Sequence, residues 1–117
     1  MSKKDAGEVL DELYAVLLER KAADPKTSYV AGLYAKGPDA ILKKIGEEAA
    51  ETLLAAKDAA GGGNKQRAAL VHELADLWFH TLVLMAAYDL PIGAVTDELA
   101  RRTGRSGLDE KAARPKQ

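Results

Sequence analysis

The sequence predicts an all-α protein. Alanine and leucine are abundant, while aromatic residues make up only 5% of the chain. That balance favours helix over sheet. Apolar residues recur at helical spacing through most of the chain, and no stretch alternates as a strand would. Glycine and proline fall at the joints between these periodic stretches. Four helices and no strand are expected.

The first helix runs from about Asp5 to Ala23. Val9, Leu10, Leu13, Val16 and Leu17 form its stripe, and Asp24-Pro25 ends it. Residues 28 to 36 read as a connector carrying Tyr29, Val30, Leu33 and Tyr34. Gly37-Pro38 restarts helix, since proline suits a first-turn position. The second helix runs to about Ala60, with Ile41, Leu42, Ile45, Ala49, Leu53 and Ala56 as its apolar stripe. Gly61-Gly62-Gly63-Asn64 is a flexible break. The third helix, from about Lys65 to Tyr88, is apolar on nearly all sides from Leu70 onward. It is therefore expected at the centre of a core or at a subunit interface, with Trp78 in the core. A short fourth helix follows Leu90-Pro91, reaches about Arg102 and ends near Gly104. The tail, 105–117, is polar and basic with one apolar anchor, Leu108.

With 117 residues, one domain spanning 1–117 is expected, with a leader helix over 1–26. The glycine break is a hinge within that domain, because neither side could bury a core alone. Seventeen basic and eighteen acidic residues give a net charge of −1, which argues against nucleic acid as a partner. The absence of cysteine excludes disulfides, thiolate metal sites and cysteine nucleophiles. No apolar h-region opens the chain, and no apolar run reaches ~18 residues, so neither a signal peptide nor a membrane span is expected. A cytoplasmic protein follows. A helix apolar all round, in so small a chain, wants more cover than one subunit supplies. A homodimer sharing a helical bundle is expected.

The chemistry lies in two acidic runs. Glu47, Glu48 and Glu51 form E-E-x-x-E on the second helix, and Glu73 and Asp76 form E-x-x-D on the third. Residues three or four apart share a helix face. Glu47 and Glu51 lie off the apolar stripe, and Glu48 lies at its border, partly exposed. Glu73, Asp76 and His80 share one side of the third helix. The first run alone reads as a solvated face paired with Lys43 and Lys44. The second run interrupts a strongly apolar helix, where unpaired carboxylates are costly. If the helices pack side by side, the acids converge and need a cation. Oxygen-only ligation suits Mg²⁺, with Mn²⁺ as the alternative, rather than zinc or copper. Such ions hold phosphates, and the reaction class implied is water attack on a phosphoanhydride.

The other polar residues carry less. His80 reads as a hydrogen-bonded core histidine or as a group orienting a carboxylate. His72 lies on the opposite side from most of the acids and is assigned no role. Lys44, Lys57 and Arg67 are equally readable as phosphate contacts or as solvated residues. Tyr29 and Tyr34 fit core or rim packing better than base stacking.

Several stretches together resemble the phosphoribosyl-ATP pyrophosphohydrolase family of histidine biosynthesis, from about Ser28 to Arg114. They are Ser28-Tyr29-Val30 with Lys36-Gly37, I-L-K-K-I-G-E-E-A-A-E over 41–51, and Ala55-Ala56-Lys57. Two more are H-E-L-A-D-L-W-F-H-T-L-V over 72–83 and E-L-A-R-R-T-G-R-S-G-L-D-E-K-A-A-R over 98–114. The paired acidic motifs alone resemble the wider MazG-like and dimeric dUTPase superfamily; R-S-G-L-D-E-K narrows it. Thr103 stands where the family often has an aromatic residue, and Ala113 where it often has serine.

The resemblance implies Mg²⁺-dependent hydrolysis of phosphoribosyl-ATP, a small-molecule nucleotide, to phosphoribosyl-AMP and pyrophosphate. It puts Glu48, Glu51, Glu73 and Asp76 at metal positions. Glu47 is the candidate for orienting or deprotonating water, a role it could exchange with Glu48. Lys44, Lys57 and His80 fall on flanking positions toward the substrate. Arg102, Ser106, Gly107, Glu110 and Lys111 match a segment toward the substrate's phosphates or ribose, although a tail can also latch a dimer. The rivals are a MazG-like enzyme acting on free nucleoside triphosphates or dUTP, and a non-enzymatic helical interaction domain. A di-iron carboxylate bundle ranks below both, because no E-x-x-H motif occurs.

Overall fold

A computed structural model describes residues 3–104 and 107–115. Among the described residues there are six α-helices and no strand. Helix α1 spans Ala6–Glu19, α2 Tyr29–Lys36, α3 Pro38–Ala59, α4 Asn64–Ala87, α5 Ile92–Arg102 and α6 Gly107–Ala113.

Asp5 caps α1 by accepting from the Glu8 backbone N–H at 2.8 Å. The α-helix stops at Glu19, short of the expected Ala23, and tightens into a 3₁₀ turn over Arg20–Ala22. The expected connector 28–36 is itself a helix. Ser28 is its N-cap and accepts from the Ala31 N–H at 3.1 Å. Its pattern spans barely two turns, too short for periodicity to separate it from a loop. Gly37, at φ 96°, ends α2, and Pro38 starts α3. The tail also differs from expectation, since 107–113 is helical.

Helices α3 and α4 form a hairpin through the short break at 60–63, where Gly62 and Gly63 take φ of 86° and 104°. One end of this hairpin is packed. Leu17 of α1, Val30 and Leu33 of α2, Ile41 of α3, and Leu82, Val83, Met85 and Ala86 of α4 make the core. The turn after α4 is tied to α1 and to the 3₁₀ turn that follows it. Lys21 Nζ lies 2.6 Å from Asp89 Oδ1, and the Tyr14 hydroxyl donates to the Leu90 carbonyl.

The other end of the hairpin is bare. Leu53 is 69% exposed and Leu54 nearly as much, and Val71 is exposed too. Trp78, expected in the core, is 61% exposed. Leu42, Leu53 and Ala56 fall outside the buried stripe assigned to α3, and Val9 and Val16 outside that assigned to α1. The cause is one of length. Helix α3 runs 22 residues and α4 24, whereas α1 has 14 and α2 only eight, so the shorter helices cannot cover the hairpin. Helix α4 is also long and apolar enough on average to cross a bilayer. Glu73 and Asp76 near its middle would make that placement costly.

Candidate metal and nucleotide site

The hairpin brings the two acidic runs together at the border between its packed and bare ends. Glu48, Glu51 and Glu73 each offer a carboxylate oxygen within 4.8 Å of the others. Thr52 fixes this register. Its hydroxyl lies 2.7 Å from the Glu48 carbonyl on α3 and 3.3 Å from the Glu73 carbonyl on α4. Asp76 belongs to a neighbouring group with Glu73 and His72, again within 4.8 Å. Glu73 is thus common to both groups.

Glu48 is more enclosed than its border position suggested, at 5% exposure. One of its oxygens lies 3.4 Å from Lys44 Nζ. The other, Oε2, is buried without a hydrogen-bond partner, and so is Glu73 Oε2. A buried carboxylate oxygen lacking a donor is costly, and two within one group of acids more so. An oxygen-only donor set with two orphaned anionic atoms fits a hard divalent cation. Exposed Glu51 lies at the mouth of the group.

Glu47 stands outside this group. It is exposed and pairs with Lys44 Nζ at 3.4 Å. Lys44 therefore bridges Glu47 and Glu48. Burial opposes its charge, but Tyr29, Glu48 and Glu47 outweigh that and hold its ammonium above the ordinary lysine range.

His80 is buried and fully engaged. A backbone carbonyl can only accept, so Nδ1 donates to Asp76 O at 2.9 Å. Nε2 then accepts from the Tyr29 hydroxyl at 2.7 Å. Its ring fastens α4 to α2 and hydrogen-bonds no carboxylate among the described residues. Tyr29 itself is half exposed, and burial followed by the nearby carboxylates pushes its phenol up, against a lowering by Lys44.

His72 corrects the sequence reading. Its Nε2 lies 3.3 Å from Asp76 Oδ2, one turn along α4. The i,i+4 spacing was the signal, hidden by judging the face of His72 against all the acids at once. Thr52 gave no signal, because a threonine between two glutamates reveals nothing of a neighbouring helix. Lys57 is exposed and has no ionic partner among the described residues. It lies nine residues beyond Glu48, about 14 Å along the axis. Arg67 is exposed as well. Arg102 donates through Nε to Glu98 Oε1 at 3.2 Å on α5. Lys111 is exposed on α6. Ser106 and the Glu110 side chain lie outside the described residues.

A second pocket adjoins the carboxylates. Between α2 and α3, an open cleft of about 320 Å³ is lined by Tyr29, Leu33, Lys36, Ala40, Lys43, Lys44 and Glu47. Lys43 was expected to pair with the first acidic run, but among the described residues only Lys44 does, and Lys36 was named only in the Lys36-Gly37 stretch; the two acquire a shared meaning only when α2 folds against α3.

Residues 10–103 match the family described as Phosphoribosyl-ATP pyrophosphohydrolase. The chain belongs to this family. The match reaches further toward the N-terminus than the resemblance from Ser28 implied, and it takes in most of α1. It stops before R-S-G-L-D-E-K, whereas the pairwise relatives span more of the chain. A Phosphoribosyl-ATP pyrophosphatase from Janthinobacterium sp. (strain Marseille) is 56% identical over 110 residues, covering 92% of this chain and 96% of that protein. One from Ralstonia nicotianae is 55% identical over 115 residues, covering 94% and 93%. One from Azoarcus sp. (strain BH72) is 52% identical over 107 residues, covering 92% and 94%.

Proposed function

We propose that this chain hydrolyses phosphoribosyl-ATP to phosphoribosyl-AMP and pyrophosphate, with Mg²⁺ at the carboxylate cluster. The observation that carries the metal reading is the pair of buried, unpartnered oxygens on Glu48 and Glu73 within one group of acids. Glu48, Glu51 and Glu73 would hold the ion, and Asp76 would join through the group it shares with Glu73. Manganese would serve in its place, being equally suited to oxygen ligands. A bound divalent ion would neutralise the triphosphate and polarise the anhydride.

The chain's own residues do the rest. Glu47 lies outside the cluster, exposed and beside Lys44, so it is our candidate for taking the proton from water. Oxygen of that water bonds to the α-phosphorus, the α–β bridging bond breaks, and pyrophosphate leaves. Lys44 keeps Glu47 beside Glu48 and adds positive charge where the phosphates enter. Thr52 and the His80–Tyr29 link fix the helices that carry these groups.

We further infer a homodimer in which the bare face around Leu53, Val71 and Trp78 meets its counterpart. A substrate with so many phosphate charges does not cross membranes, which supports a reaction in the cytoplasm where nucleotides are made.

The deciding assay is pyrophosphate release from phosphoribosyl-ATP with Mg²⁺ and with EDTA, beside ATP and dUTP. Release from phosphoribosyl-ATP that EDTA abolishes is expected. Release from ATP or dUTP alone would assign a free-nucleotide activity instead.

A further inference from the structure

The acidic cluster accounts for only one end of the substrate read above. Phosphoribosyl-ATP carries a triphosphate on one ribose and a phosphate monoester on the other. The carboxylates accept phosphate only through a cation, and they repel a bare monoester by like charge. The monoester needs a separate cationic subsite within reach.

The pocket between α2 and α3 has that character. Lys36 and Lys43 both line it, and neither has an anionic partner among the described residues. Lys44 and Glu47 belong to its wall and also touch the carboxylate side, so the two sites are continuous. Leu33 and the Tyr29 ring supply an apolar wall for a sugar, and the link to His80 holds that ring in place. Glu47 and Glu48 share Lys44, so the surplus positive charge around this cleft of about 320 Å³ is that of Lys36 and Lys43.

We propose that this pocket binds the 5-phosphate of the phosphoribosyl group, with Lys36 and Lys43 as its ligands. The assignment rests on the substrate reading above. It makes the two lysines specificity determinants, because ATP lacks the group they hold. Lysine suits the task as a compact charge on a flexible stem.

The test uses the full chain and the Lys36→Ala/Lys43→Ala variant, with Lys36→Glu/Lys43→Glu as the stronger perturbation and Lys36→Arg/Lys43→Arg as the conservative one. Both positions are exposed, so folding should survive, as circular dichroism would check. The alanine pair should raise KM for phosphoribosyl-ATP at least tenfold with kcat changed much less. The glutamate pair should raise it further, and the arginine pair should restore much of the loss. Separately, ribose 5-phosphate is titrated in EDTA and followed by NMR shifts, with ribose and inorganic phosphate alongside. Shifts at Tyr29, Lys36 and Lys43 are expected with ribose 5-phosphate, weaker with phosphate, absent with ribose, and lost in the alanine pair.

An unchanged KM with unchanged ribose 5-phosphate binding would overturn the proposal. So would a loss confined to kcat, which would assign the lysines to the departing pyrophosphate. If the wild-type chain released no pyrophosphate from phosphoribosyl-ATP, the substrate reading would fall. The ribose 5-phosphate titration would then decide the pocket alone.

Discussion

The two ends of the α3–α4 hairpin are built from similar residues and end in opposite environments. At one end Ile41, Leu82 and Val83 are enclosed by α1 and α2. At the other Leu53, Leu54 and Val71 face outward, while Trp78, nearer the packed end, opens onto a groove with Leu10, Leu82 and Ile92. Helical period alone would assign both ends to a core. The difference shows that cover is set by how far the shorter helices reach. It also places the carboxylates at the border, where one flank is dry enough to leave one oxygen each of Glu48 and Glu73 without a donor and the other leaves Glu51 open.

The largest effect should come from the border itself. Glu73→Gln keeps the shape and removes a charge that has no hydrogen-bond partner on Oε2. Turnover on phosphoribosyl-ATP should fall at least a thousandfold, about 4 kcal/mol of barrier. In EDTA the variant should melt no lower than wild type, because a buried unpaired anion is gone. Added Mg²⁺ should stabilise the wild type, by about 2.7 kcal/mol at a hundredfold excess over Kd, and the variant far less. A Mg²⁺-independent melting curve for the wild type would contradict the metal reading.

The packed end should be the next most sensitive. Ile41→Ala removes a side chain that is almost wholly buried and should cost about 2–5 kcal/mol in urea unfolding. Leu53→Ala, equally apolar but exposed, should cost under about 0.5 kcal/mol within a single chain. Its signature should be in assembly. Leu53→Asp or Trp78→Asp should shift sedimentation from dimer toward monomer. If Ile41→Ala and Leu53→Ala cost the same in a monomeric protein, the contrast between the two ends would be wrong.

This contrast also marks what the sequence could and could not reveal. The long helices were legible, because α3 and α4 each carry many turns of period and are bounded by Gly37-Pro38 and the glycine break. The acidic pairs were legible for the same reason. Helix α2 was not, since eight residues give too little period and only the Ser28 cap marked it. Trp78 was misjudged because apolar character does not say whether a neighbour exists. Thr52, Lys36 and Lys43 depend on which helix faces which, so one-dimensional spacing gave them little weight, whereas the His72–Asp76 spacing was there to be read. Lys44 was named from sequence, yet its double role between Glu47 and Glu48 is a matter of a few ångströms in space.

The smallest expected effect lies away from both ends, on α5. Glu98 accepts from Arg101 Nε at 3.0 Å and Arg101 Nη2 at 2.6 Å, and from Arg102 Nε at 3.2 Å. Hydrogen bonds from Arg101, then Arg102, hold its carboxyl at about 2 instead of the ordinary 4.5. A depressed acid stabilises the fold where it is ionised in both states. Its contribution is present above pH 4.5 and fades as pH falls from there toward 2. All three side chains are substantially exposed, so the gain is small and screened by salt. An NMR titration should find the Glu98 midpoint near 2 at low salt and nearer 4.5 in Arg101→Ala. The same titration probes the tail's expected role. If Arg102 left Glu98 for a substrate phosphate, saturating phosphoribosyl-AMP would raise the Glu98 midpoint. An unmoved midpoint would keep Arg102 on α5 and leave phosphate capture to the lysines beside the carboxylates.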